Sequence, residues 1–78
     1  MRNKLTTLDI EKIDKYLKRK NLIYNLYPVT KQNGINCVTA MINAPTPTGF
    51  LKIEAYSFED FKRRFRTAKK EVKEGRYN

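Results

Sequence analysis

The chain has 78 residues, of which 17 are Lys or Arg and 8 are Asp or Glu, so its formal net charge at pH 7 is +9. Because a domain typically takes roughly 100 to 200 residues, this length predicts one small domain over residues 1–78, with residues 1–4 and 76–78 frayed. A positive charge this large for the length favours a negatively charged polymer as a partner.

The residues that the sequence lacks exclude several kinds of site. It contains no His, and its single cysteine, Cys37, lies within a β-like run. A zinc site requires about four Cys, His or carboxylate ligands, and a Ser or Cys nucleophile requires a neighbouring base. We therefore expect no metal, no cofactor and no enzymatic activity, and we interpret Cys37 as a buried apolar side chain.

Other motifs with a recognisable chemistry are also missing. The glycines Gly34, Gly49 and Gly75 are isolated, which excludes a P-loop and a dinucleotide-binding fingerprint. No apolar run approaches the roughly 18 residues of a membrane span, and the N-terminus shows no signal-peptide pattern. We expect a cytoplasmic protein that does not bind a membrane.

The first predicted element is a helix that begins after Thr6. Thr6 and Asp9 have the spacing of a capping box, and apolar residues recur at three- and four-residue steps from Ile10 to Leu17. The helix should end near Lys20 or Asn21. Its last turn carries three cations, which either complement the helix dipole or bind an anion. These residues are Lys18, Arg19 and Lys20.

Three strands follow the first helix. Residues 22–30 are rich in β-forming types, and the pair Asn33-Gly34 is typical of a two-residue type I′ hairpin turn. A second strand then contains Val38 and Ala40, and a third runs over residues 50–56. With Asn33 and Gly34 as the turn, the predicted register pairs Asn25 with Ile42, Leu26 with Met41, Tyr27 with Ala40, Val29 with Val38 and Thr30 with Cys37.

This register leaves one face of the sheet exposed. Alternation along the strands directs Val38, Ala40 and Ile42 towards a core and the intervening residues towards solvent. The exposed side should then present aromatic and apolar surface, which suits a protein partner or the stacking of unpaired bases. The predicted members of this face are Tyr24, Leu26, Met41, Phe50, Lys52 and Tyr56.

The last predicted element is a second helix that begins after Ser57. Ser57 and Asp60 again have the spacing of a capping box, apolar residues from Phe58 to Val72 form a stripe, and Gly75 is placed for a left-handed cap. The elements therefore predict an α+β fold in two layers, ordered helix-strand-strand-strand-helix. A three-stranded antiparallel meander would form one layer, and both helices would pack on one face of it.

Cations gather on one flank of this second helix. At 100° per residue they fall within about 120° of arc, separate from Glu71 and Glu74. A row of one sign is better explained by contacts to phosphates than by solubility alone. The predicted nucleic-acid-binding residues are Lys62, Arg63, Arg66, Lys69, Lys70 and Lys73, assisted by Lys18, Arg19 and Lys20.

The sequence thus favours a small, non-enzymatic accessory or regulatory protein that binds DNA or RNA. The alternative is a protein-binding inhibitor or adaptor, or a homodimer, that uses the open sheet face to contact an acidic protein or a second copy of itself. A bias towards Lys, Asn and Ile, together with the short length, suits a phage or another mobile element. The motifs assign the chain to no family.

Overall fold

Two helices pack on one face of a three-stranded antiparallel sheet in the computed structural model, which describes residues 5–76. The strands lie in chain order, so each is hydrogen-bonded to its neighbour in sequence. The predicted α+β fold and its element order are confirmed. The elements are α1 (Thr7–Arg19), β1 (Tyr24–Thr30), β2 (Asn36–Asn43), β3 (Phe50–Ala55) and α2 (Phe58–Lys73).

The start and end of α1 follow from local side-chain chemistry. The Asp9 backbone N–H donates to Thr6 Oγ1 at 3.1 Å, and the Thr6 backbone N–H donates to Asp9 Oδ2 at 3.0 Å. The predicted capping box is therefore present. Asn21 ends the helix with a left-handed φ of 57°, and the Leu22 N–H reaches back to the Leu17 carbonyl, as in a Schellman motif.

The caps of α2 differ from the prediction in one detail. Ser57 Oγ accepts from the Asp60 N–H at 3.0 Å, but the Asp60 carboxylate accepts from the Tyr56 N–H rather than from that of Ser57. Gly75 has the expected left-handed φ of 74°. The Arg76 N–H donates to the Glu71 carbonyl at 2.8 Å and so belongs to this cap rather than to a frayed end. Residues 1–4 and 77–78 lie outside the described range.

The predicted hairpin register is wrong by one residue. Type I′ turns require a positive φ at both central residues, and Asn33 does not adopt one. Instead the Lys31 N–H donates to the Ile35 carbonyl, and Gly34, with a φ of 84°, closes a three-residue loop. In the observed register Tyr24 pairs with Ile42, Leu26 with Ala40, Tyr27 with Thr39 and Val29 with Cys37.

This shift turns β1 over relative to the predicted face. Tyr24 and Leu26 share a face with Ala40 and Ile42 and pack, half-buried, against the core. Their predicted place on the open face is therefore wrong, because a one-residue slip sends each side chain to the opposite side of the sheet.

Tyr24 also ties the sheet to α1. Its hydroxyl donates to the Asp14 carboxylate. Burial, followed by the hydrogen bond to Asp14 and the charge of that carboxylate, raises the pKa of Tyr24 to about 12. The same hydrogen bond is the main cause of the lowered pKa of Asp14.

The core lies between the sheet and the helices. The helices contribute fully buried apolar side chains that include Ile13, Leu17 and Phe61, and the sheet contributes Val38, Ala40 and Ile42 from its inner face. No polar or charged residue of the described range is buried. The charged side chains of both helices therefore lie at the surface of the helical layer.

Candidate nucleic-acid interface

The two helices lie side by side and point in the same direction. At their N-terminal ends the Phe58 N–H donates to Asp9 Oδ1 at 3.1 Å, which joins the first turn of α2 to that of α1. Further along, the Tyr16 ring of α1 packs nearly perpendicular to the rings of Phe58 and Phe65, each with a centroid distance of 5.9 Å. These aromatic rings fill the seam between the helices.

Cations of α2 lie directly over this aromatic seam. Lys62 Nζ is 4.8 Å from the centroid of Phe58, and Lys69 Nζ is 5.4 Å from that of Phe65. Arg66 and Lys73 fall on the same side of the helix, since positions 62, 66, 69 and 73 lie within about 60° of one another. Four of the six predicted cations of α2 thus form one ridge.

Two cations of α1 line the other side of the seam. Lys12 Nζ is 6.0 Å from the Phe58 centroid, and Lys20 Nζ is 4.9 Å from that of Tyr16. Sequence reasoning included Lys20 but missed Lys12, although the spacing Lys12, Tyr16, Lys20 places all three on one side of α1. We name the combined group the cationic strip. It consists of Lys12, Lys20, Lys62, Arg66, Lys69 and Lys73.

Most of the cationic strip is not neutralised by the protein's own carboxylates. Lys62 forms an ion pair with Glu59 at 3.4 Å, but over residues 5–76 no ion pair involves the other five members. Attraction to the aromatic rings places several ammonium groups above the seam without cancelling their charge. The strip therefore presents a mainly positive surface that joins both helices.

The remaining predicted cations lie off the strip. Arg63 forms an ion pair with Asp60, and Lys18 pairs with Asp14 at 3.2 Å. Lys70 is exposed on α2 next to the ridge, about 40° round the helix from Arg66, and Arg19 is exposed in the last turn of α1. The nine predicted residues thus do not form one surface.

The carboxylates at the N-terminal ends of the helices have structural partners. Burial would raise the pKa of Asp60, but hydrogen bonds from the Tyr56 N–H and Arg64, with the charges of Arg64 and Arg63, outweigh it and lower that pKa. In Asp9, burial is likewise outweighed by hydrogen bonds from Thr6 and from the Phe58 N–H. These acids cap helices. Asp9 also feels the positive charge of Lys12, which contributes to lowering the pKa of Asp9.

The outer sheet face, opposite the helices, is partly as predicted. Phe50, Lys52 and Met41 lie on it, with Phe50 45% exposed. Tyr56 instead lies beyond the end of β3, where the Arg64 guanidinium is 5.9 Å from its ring.

The corrected register adds two apolar side chains to this outer face. Ile23 is 71% exposed and precedes β1, with its carbonyl accepting from the Asn43 N–H. Tyr27 is 50% exposed and pairs with Thr39. Both were missed because the predicted register assigned the wrong face of the first strand to solvent.

Cys37 is fully buried on the outer side of the sheet. Its thiol lies 3.7 Å from Glu54 Oε2, and that carboxylate pairs with Lys31 at 2.7 Å. Burial, reinforced by the negative charge of Glu54, raises the pKa of the Cys37 thiol. The thiol therefore stays protonated at neutral pH, which agrees with a packing role.

Comparison of the chain with protein-family profiles, curated proteins and solved structures finds no match. Neither of the helices described over residues 5–76 has the length and apolar character needed to cross a membrane. The function is therefore inferred from the surface features of the domain.

Proposed function

We propose that this protein is a small, non-enzymatic nucleic-acid-binding accessory or regulatory protein whose cationic strip follows a phosphate backbone. The observation that carries the proposal is the alignment of cations from two helices along one seam, five of them without an ion pair in the described range. The ridge from Lys62 to Lys73 is about 16 Å long at 1.5 Å per residue. Since one strand of a duplex carries a phosphate every 3.4 Å of helix axis, this length spans about four or five phosphates.

The helix dipole does not account for the whole strip. Cations at helix C-termini offset the partial negative charge there, which explains Lys20 and Lys73. Lys12 and Lys62 lie in the second turn of their helices, where the dipole gives a cation no such benefit. Glu59 pairs with Lys62 and Asp9 feels the charge of Lys12, but only an external anion along the seam would engage all of these positions together.

The other predicted cations have secondary roles in this proposal. Lys18, Arg19 and Lys70 add to the positive potential around the strip, and Arg63 is held by the Asp60 cap. Contacts of this kind position a protein on nucleic acid without reading its sequence. We therefore propose binding to DNA or RNA with weak sequence preference.

A salt titration tests the proposal. Four to six phosphate contacts should give a slope of about −3 to −5 in a plot of log affinity against log salt concentration. Affinity for a labelled duplex or single strand should then fall roughly 60- to 1,000-fold between 50 and 200 mM salt. Fluorescence anisotropy measures both quantities. Absence of binding to duplex and single strand alike at about 50 mM salt would exclude this function.

The open sheet face supports a second candidate function, as a protein-binding inhibitor or adaptor or as a homodimer. Ile23, Tyr27 and Phe50 are exposed on the side of the sheet that carries no helix. Grouped apolar side chains on the surface of a small protein are typical of an interface. In this case the positive charge of the helical layer would steer an acidic partner rather than bind phosphate.

Self-association through this face is directly measurable. If the wild-type protein dimerises through this face, the triple variant Ile23→Gln, Tyr27→Ser, Phe50→Ser should be monomeric. The substitutions remove exposed apolar surface and leave the core unchanged. Light scattering over a range of protein concentrations gives the mass. Arg66→Gln with Lys69→Gln is the matched control, which should leave the mass unaltered. A wild-type protein that is already monomeric at all concentrations contradicts the homodimer.

A further inference from the structure

The C-terminal end of the seam opens into an apolar groove of about 590 Å³. Its floor is formed by Ile42 and Leu51 of the sheet together with Phe65 of α2. Leu22, which follows α1, and Val72 near the end of α2 form its walls, and both are half-buried. The groove is open to solvent, so it differs from the closed core beneath it.

Cations surround the mouth of this groove. Lys20 lies on the α1 side, Lys69 and Lys73 lie on the α2 side, and none of the residues within 5–76 that line the groove is a carboxylate. Lys69 and Lys73 are one helical turn apart, a rise of about 6 Å. The groove therefore combines an aliphatic interior with three positive charges of which none is neutralised locally.

This combination restricts the chemistry of a ligand. An unpaired nucleobase carries polar edges that must be hydrogen-bonded when buried. Among the described residues that line the groove, Asn43 alone has an uncharged polar side chain. A fatty acid has a single carboxylate for three separated lysines, and an open groove leaves its chain partly in water. A peptide that carries aliphatic side chains between several acidic residues fits both parts of the groove, because its aliphatic side chains match the apolar interior and its carboxylates match the lysines at the mouth.

We propose that this groove binds an acidic, leucine-bearing segment of a partner protein. One or two aliphatic side chains insert between Leu22 and Val72, and carboxylates spaced by one helical turn pair with Lys69 and Lys73, with a further one on Lys20. Because these three lysines also belong to the cationic strip, the segment and a phosphate backbone compete for the same charges. This competition, but not the peptide binding itself, rests on the proposed nucleic-acid function.

The test uses the 78-residue chain and a labelled helical peptide as probe. The peptide carries two leucines four residues apart on one side, flanked by glutamates. Two control peptides replace either the leucines or the glutamates by glutamine. Anisotropy titrations at about 100 mM salt should give the tightest binding with the first peptide and at least about tenfold weaker binding with each control.

Variants of the protein locate the site. Val72→Gln should lower the affinity for the leucine peptide at least about tenfold. Ile23→Gln, the same kind of change on the opposite face, should leave this affinity unchanged. Lys20→Gln changes an exposed position, so it should lower the affinity for the peptide without affecting the core. Lys15→Gln, which lies off the strip, should leave the peptide affinity unchanged. A thermal melt confirms that each variant is folded.

Nucleic-acid binding in the same assay separates the two proposals. Val72→Gln removes no charge, so it should leave affinity for a single-stranded oligonucleotide within about twofold, and unlabelled oligonucleotide should displace the peptide. A protein that binds the oligonucleotide but prefers no peptide overturns the groove proposal alone. Peptide binding, together with absence of binding to both duplex and single strand at about 50 mM salt, overturns the nucleic-acid function alone. If Val72→Gln lowers the affinity for the oligonucleotide or for a fluorescent fatty acid and leaves the affinity for the peptide unchanged, the proposed peptide ligand is wrong.

Discussion

Replacing Arg66 and Lys69 by glutamine is expected to weaken nucleic-acid binding about 10- to 100-fold at 50 mM salt and to make the salt dependence shallower by nearly two units. Both side chains belong to the cationic strip, and neither has an ion pair in the part of the chain that the structure describes. Removing them should therefore remove two phosphate contacts. Anisotropy titrations at several salt concentrations measure the affinity and the slope together.

The matched control removes the same charge elsewhere. Lys15 and Lys70 are exposed and lie off the strip, so replacing both by glutamine changes the net charge equally. This variant should lose less than about threefold in affinity, through the weaker overall potential alone. Equal losses in the two double variants would mean that binding follows net charge, and would contradict a defined phosphate path over the seam.

Replacing Phe61 by alanine is expected to destabilise the protein strongly at 25 °C. The ring is fully buried, stacks on Phe65 at 5.7 Å between centroids and lies nearly perpendicular to the Tyr16 ring at 6.2 Å between centroids. Truncating a buried Phe costs about 3–5 kcal/mol. A domain of this size has a free energy of unfolding of roughly 4–12 kcal/mol, so the loss is a large share of the total stability and the variant should unfold at a much lower urea concentration. Urea denaturation followed by circular dichroism measures it.

Phe50→Ala provides the comparison for this core substitution. Phe50 is 45% exposed on the outer sheet face, so the same chemical change there leaves no enclosed cavity. We expect it to change the free energy of unfolding by less than about 1 kcal/mol. If both variants were equally destabilised, the outer sheet face would have to be covered in solution. If neither were destabilised, the described core would be wrong.

The fold could be predicted because its helices are specified by short-range chemistry. The side chains of Thr6 and Ser57 mark where the helices begin, and their apolar stripes identify the buried sides. Gly75 marks the end of α2 with the left-handed conformation that glycine adopts without strain. Each signal lies within a few residues of the feature that it determines.

The hairpin register could not be predicted by the same means. Asn33-Gly34 is compatible with a two-residue type I′ turn and with a three-residue loop that uses only Gly34 in the left-handed region. The two differ by one residue, which decides whether Tyr24 faces the core or solvent. That choice depends on the packing of Tyr24 and Leu26 against the core and on the bond from Tyr24 to Asp14 of α1.

The candidate interface was predicted only in part for a similar reason. Periodicity identified the ridge of α2, because that ridge lies on a single element. The contribution of Lys12 depends on the position of α1 beside α2, which is set by the Asp9 bond to Phe58 and by the Tyr16 ring. The spacing of residues within one helix does not indicate which other element will pack beside that helix.

Because the two helices point in the same direction, charge is distributed asymmetrically along the molecule. The capping acids Asp9 and Asp60 lie at one pole, and the other pole holds a group of basic side chains. These are Lys18, Arg19, Lys20, Lys69, Lys70 and Lys73, and they outnumber the acidic side chains Glu71 and Glu74 at the same end of α2. Together they exceed the roughly half negative charge at each helix terminus there. The electric field of a negatively charged partner should therefore rotate the protein so that this pole faces the partner before contact. This orientation should increase the association rate, and added salt should reduce that increase because it shortens the range of the field.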